Sequence, residues 1–159
     1  MNTAIISQIL LTIAILSTGV IYGTDMFHAV VVRKATALSK DSSLIDLIGH
    51  THLVADKRMP AFGITSIVTT LICAIINFVN VYTLGLLCAA LFMLLSHLNI
   101  YMNVAKPVNQ MMSEAAVKNS YPDNIRALQI RWESVINYRA AFLTAAMLLL
   151  ILSVIICGN

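Results

Sequence analysis

The sequence predicts an all-α integral membrane four-helix bundle with helical extensions on one side, a single domain over residues 1–159. Two observations predict it. The ten Lys and Arg and the seven Asp and Glu all fall in two windows, Asp25 to Arg58 and Lys106 to Arg139, so residues 1–24, 59–105 and 140–159 carry no formal charge. A helix needs about 20 apolar residues to cross roughly 30 Å of hydrocarbon, and the three uncharged blocks suffice for four crossings. The composition agrees: 59% hydrophobic residues, 11% charged and a mean hydropathy of +0.87 lie outside the range of a soluble domain of this size.

The first span covers about residues 4–23. No basic residue precedes its apolar run and no small-residue cleavage signal follows, so it reads as a retained span, not a removable signal peptide. Gly19 and Gly23 form a GxxxG pair, a small-residue face of the kind that lets helices approach closely in lipid. Ser42 or Ser43 can cap a helix carrying Leu44, Leu47, Ile48 and His52 toward Pro60 and into the second span, residues 60–78. There Gly63, Ser66, Thr70, Cys73 and Asn77 recur at three- and four-residue steps, which places small and polar groups on one face pointing into the bundle.

Only Val79, Asn80 and Val81 separate the second span from the third, residues 82–105, which forces a tight antiparallel hairpin. In that span Gly85, Phe92, Ser96, Asn99 and Asn103 share a face, while His97 and Tyr101 lie about 100° or more around the helix. Either the helix is buried on two sides, or one polar face meets another copy in a homo-oligomer. Ser120-Tyr121-Pro122-Asp123 is a helix-start pattern. Beyond it Ile125, Leu128, Trp132, Val135, Ile136 and Arg139 share a face leading into the fourth span, residues 136–157. An arginine ends an otherwise inward-facing stripe.

Five Lys and Arg follow the first span and five follow the third, with none at either terminus or in the hairpin. The positive-inside rule then puts both charged segments in the cytoplasm and both termini outside, in the cell (inner) membrane. No basic block is interleaved with aromatics, so nothing points to nucleic acid; the lipid bilayer and a hydrophobic small molecule are the expected partners. Cys73, Cys88 and Cys157 sit in apolar segments and read as small hydrophobes.

Ionisable groups at membrane depth mark a site by default. Asp25, His28, His97 and Arg139 are such groups, and an up-down bundle brings all four to its charged half. Asp25 and His28 stand three residues apart, and His50 and His52 precede the second span with Asp46 and Asp56 four residues to either side. Carboxylate and imidazole pairs at helical spacing can bind a first-row metal such as iron or copper, so Asp25, His28, His50 and His52 are candidate metal ligands. The competing reading makes Asp46, His50, His52 and Asp56 a solvated interfacial face. His28 and His97 on facing helices could instead ligate haem b, with Arg139 pairing a propionate. The third alternative is that no cofactor is bound.

Lys106-Pro107-Val108-Asn109, the W-x4-N-x-R run from Trp132 to Arg139, and Gly23-Thr24-Asp25-Met26-Phe27 together resemble the anthrone-oxygenase-like family of small four-span membrane proteins. Fungal members of that family are implicated in oxidising anthrones to anthraquinones. The resemblance implies that Pro107, Asn109, Trp132, Asn137 and Arg139 are the family's polar and aromatic markers in this chain. The family often carries a histidine where this chain has Asn137, so a role that needs an imidazole there does not carry over.

The expected function is therefore a membrane oxygenase or oxidoreductase acting on a phenol-like substrate. Arg139, Asn137 and Asn109 would hold the polar end of the substrate, Trp132 would stack on its ring, and His97 or His28 would act as base or ligand. A haem-carrying or structural subunit without turnover is the alternative. A transporter would call for a charge at the midplane and inverted repeats; spans two and four lack the former, and the sequence shows no internal repeat.

Overall fold

The computed structural model describes residues 3–120 and 122–157, and among them no strand forms. Four helices, α1 (Thr3–Leu38), α2 (Asp41–Ile76), α3 (Val81–Val117) and α4 (Ile125–Cys157), are each long and apolar enough to cross a membrane. The chain is an integral membrane four-helix bundle. Each helix packs against its neighbours in sequence, and α4 closes the ring against α1. The turn between α2 and α3 lies at one end, the hairpin end; the charged links lie at the other.

The helices outrun their apolar stretches. α1 continues from Gly23 to Leu38 and α3 from Ala105 to Val117, because charged residues outside hydrocarbon can extend a helix without leaving the fold. Only Ser39 and Lys40 separate α1 from α2, and both are extended. α2 begins at Asp41, its carboxylate in the positive first turn; neither Ser42 nor Ser43 is the cap expected from the sequence. α2 then runs unbroken through Pro60. The α3 terminus closes with Asn119 in the left-handed region, φ 49°, and with Ser120 N–H donating to the Ala115 carbonyl at 3.0 Å. That six-to-one bond ends a helix on a residue tolerating positive φ. The helix-start pattern around Tyr121 falls partly outside the described residues, and α4 begins at Ile125, with a brief turn at Ser134–Val135.

At the hairpin end the packing follows the small-residue stripe of α2. Ser66, Thr70 and Cys73 are fully buried against α1, and Asn77 donates to the Ser7 hydroxyl at 2.8 Å. Thr18 and Ser66 share a 2.6 Å hydroxyl bond, while Thr18 also donates back to the Ala14 carbonyl. Leu11, Ala14, Cys73, Leu87, Ala90 and Leu150 fill the space between. Asn80 caps α3 by accepting from Thr83 N–H at 3.1 Å, which fixes the tight hairpin.

The GxxxG pair of α1 is not the contact the sequence suggested. Gly23 is exposed, with nothing within 4 Å of where a Cβ would stand, because α1 turns the face of Ser7, Leu11, Ala14, Thr18 and Asp25 inward instead. The glycine that does allow close approach is Gly49 in α2. A Cβ there would meet the Met112 carbonyl at 2.6 Å and Ala116 at 2.7 Å, and Ser113 donates to the Gly49 carbonyl across the same crossing. Of the two alternatives for α3, its inward side carries His97, while Phe92, Asn99 and Asn103 are exposed.

Candidate functional site

Three π-helical turns interrupt the α-helices, at His28–Val32, Ile45–Gly49 and Tyr101–Ala105, all in the charged half. Each inserts about one extra residue per turn, rotating the helical residues beyond it, and such turns gather at functional sites. Here they flank a cavity of about 330 Å³ lined by all four helices.

At its heart lie Asp25 of α1, His97 of α3 and Arg139 of α4, which are 3%, 8% and 6% exposed. Arg139 Nη2 donates to Asp25 Oδ1 at 2.9 Å, and His97 Nε2 stands 3.0 Å from Asp25 Oδ2. A carboxylate oxygen can only accept, so Nε2 carries the proton and donates. Arg139 Nε lies 3.4 Å from that same nitrogen, which has no lone pair left to receive it. The carboxylate is thus shared by a guanidinium and an imidazole, and the buried cation and anion neutralise each other. Removing one partner from such a pair strands a charge away from water at about 3–5 kcal/mol.

Aromatic rings surround the guanidinium. Arg139 Cζ lies 5.5 Å from the Trp132 ring and 5.9 Å from the Tyr101 ring. Trp132 also packs against His28 at 5.0 Å and His52 at 5.4 Å between ring centroids. Beyond Tyr101, the Asp56 carboxylate receives the Tyr101 hydroxyl at 2.9 Å and the Asn109 amide at 2.8 Å, both on Oδ1. Three residues of the lining each carry a buried polar atom with no hydrogen-bond partner among the described residues: His52 Nε2, Asn109 Oδ1 and Trp132 Nε1. Each such orphan in a closed interior costs about 1–3 kcal/mol.

Thr24, Thr51 and Lys106 complete the polar lining; the rest of the wall is apolar and reaches the surface between α2 and α3. Ile64, Leu98 and Met102 line the cavity and are also exposed, as is Pro60, so the stretch of rim they form between α2 and α3 is apolar. Within the spans these two helices pack least closely of the neighbouring pairs. Pro60, on that rim, has no N–H to offer the Asp56 carbonyl.

A separate polar cluster fixes the charged links. Arg126 donates through Nε to Asp41 at 2.6 Å and through its Nη atoms to the Thr36 and Ser39 carbonyls, tying α4 to the α1–α2 turn. Glu133 accepts from Thr36 at 2.9 Å and from Gln129 at 2.7 Å.

The site expected from the sequence is brought together in large part. Asp25, His28, His52, His97, Asn109, Trp132 and Arg139 all line the one cavity. Two residues do not join it. Asn137 is exposed, since two residues before an inward Arg139 is about 200° around the helix. His50 is exposed as well, its Nδ1 against its own helix at the Asp46 carbonyl, 2.7 Å away. The solvated-face reading divides likewise: Asp46 and His50 face outward, whereas His52 and Asp56 line the cavity.

The residues do not fit the proposed cofactors. Among the described residues no group of three or more His, Cys, Asp or Glu is placed to hold a metal ion. Asp25 and the His97 Nε2 are committed to each other and to Arg139, and His28 leans on Trp132, so neither a four-ligand metal set nor an axial His28–His97 pair for haem is presented.

Fold and site together define a class: a four-span membrane bundle with a buried Asp–His–Arg cluster at the head of a laterally open, aromatic-walled cavity. Compared with protein-family models, with curated proteins and with solved structures, the chain matches none.

Proposed function

We propose that this protein is a membrane oxygenase of hydrophobic, phenol-like substrates of the anthrone type, with the cavity as its active site. The observation that carries the reading is the Asp25–His97 pair set beside Arg139 within an apolar cavity. The Nε2–H bond to Asp25 orients the imidazole and stabilises the cation it becomes, which leaves Nδ1 to take a phenolic proton. Donors of Arg139 not used on Asp25 hold the resulting phenolate, and the rings of Trp132 and Tyr101 flank the substrate plane. The electron-rich anion then reacts with dioxygen. At an anthrone methylene two hydrogens leave, one oxygen atom enters as the carbonyl, and the other departs with those hydrogens as water. All four electrons come from the substrate, so no separate reductant enters the balance.

The motif resemblance supports this reading, since Asn109, Trp132 and Arg139, three of its markers, line the cavity. The distribution of Lys and Arg supports a charged half in the cytoplasm of the cell membrane, with both termini outside.

The test is oxygen uptake by detergent-purified protein supplied with 1,8-dihydroxyanthrone, corrected for autoxidation, with ¹⁸O₂ to trace the new carbonyl. Arg139→Gln and His97→Phe are each expected to lower kcat/KM by about 100-fold or more. Uptake no greater than with heat-denatured protein across a panel of phenolic substrates would sink the proposal. A Soret band in the purified protein that vanishes in His97→Ala would instead favour a haem-carrying subunit.

A further inference from the structure

We infer that the cavity recognises its ligand at two poles, the second being a hydroxyl site formed by His52, Trp132 and Asn109. The inference rests on the cavity being the phenol site proposed above, and specifies what the rest of the substrate must carry.

At the first pole, around Arg139, the buried charges pair with each other. The second differs. His52, Asn109 and Trp132 are each less than a tenth exposed, all three line the cavity, and each has a polar atom without a partner among the described residues. The orientation of Asn109 is fixed by chemistry: its amide nitrogen must face Asp56, because a carboxylate cannot donate, so Oδ1 is the free atom. The pole therefore offers an indole N–H that can only donate, an amide oxygen that can only accept, and an imidazole nitrogen able to do either.

Ligand groups can be sorted against that set. A ketone would accept from Trp132 and leave Asn109 orphaned. An ammonium would donate to Asn109 and leave the indole N–H orphaned. A carboxylate would meet Asp56, whose Oδ1 is 2.8 Å from the Asn109 amide and which forms no ion pair among the described residues. A hydroxyl both donates and accepts at one oxygen and carries no charge, so it alone of these fits. Trp132 borders both poles, its ring 5.5 Å from the Arg139 guanidinium carbon and 5.4 Å from the His52 ring.

Calorimetric titration of the detergent-purified protein with 1-naphthol and 1,5-dihydroxynaphthalene tests this. The diol is expected to bind about tenfold more tightly than the mono-ol. Trp132→Phe, which keeps a ring and removes the N–H, and Asn109→Leu should each abolish that advantage, so that each variant binds the diol and the mono-ol within about twofold of each other. Equal binding of the two probes to wild type, or an advantage surviving both variants, overturns the second pole; if 1-naphthol binding is meanwhile lost in Arg139→Gln, the phenol site itself stands. Failure of either probe to bind, or indifference of 1-naphthol to Arg139→Gln, removes the phenol reading and the second pole with it.

Discussion

The two halves of the bundle solve the problem of polar groups in a membrane differently. In the hairpin half, polarity is confined to hydroxyl, thiol and amide groups that bond to their own helix or the next one, as Thr18, Ser66 and Asn77 do. The helices there touch along their length. In the charged half, full charges are buried, the α-helices are interrupted by π-turns, and a cavity lies among the four helices. The hairpin half therefore holds together locally, whereas the charged half depends on a few long-range pairs whose loss cannot be absorbed by a neighbour.

Variants chosen from each half put that contrast to the test. The largest effect is expected for Asp25→Asn, which leaves Arg139 buried beside a neutral partner and should lower stability by about 3–5 kcal/mol. Denaturation of the detergent-solubilised protein would measure it, with the double variant Asp25→Leu/Arg139→Met recovering most of the loss. A decrease below about 1 kcal/mol for Asp25→Asn would show the pair to be exchangeable with water.

Next comes the Gly49 crossing. Gly49→Ala forces a methyl group against the Met112 backbone and should lose about 1–3 kcal/mol in the same assay, whereas Gly23→Ala should lose nothing. Equal losses at the two glycines would restore the GxxxG pair as a packing contact. The smallest effect belongs to the hairpin half: Thr18→Val removes one interhelical hydroxyl bond, worth about 0.6 kcal/mol in such settings. A loss at Thr18 as large as that at Asp25 would erase the distinction between the halves.

The same contrast explains how much could be read from the sequence. Four spans, the tight hairpin and the inward stripe of α2 follow from charge-free length and from three- and four-residue spacing, which hold wherever the helix is regular. The gathering of Asp25, His97, Trp132 and Arg139 was legible too, because an ion at membrane depth has few places to go. The features that escaped lie beside π-turns or rest on pairings that no local pattern encodes. Tyr101 opens such a turn, and its bond to Asp56 spans two helices. The inward position of Asp56 had a trace, its four-residue spacing from His52, but nothing in the sequence shows which of those residues faces lipid and which the cavity. Asn137 is a different lesson: its phase relative to Arg139 already placed it on the opposite side of the helix.

The apolar rim formed by Ile64, Leu98 and Met102 bears on how any ligand is dosed. A compound entering by that route is drawn from the surrounding hydrocarbon, so occupancy follows its mole fraction among lipid or detergent molecules, and adding more amphiphile at fixed compound dilutes it even when its aqueous concentration hardly changes. Saturation curves for this protein will superimpose only when plotted against that two-dimensional concentration.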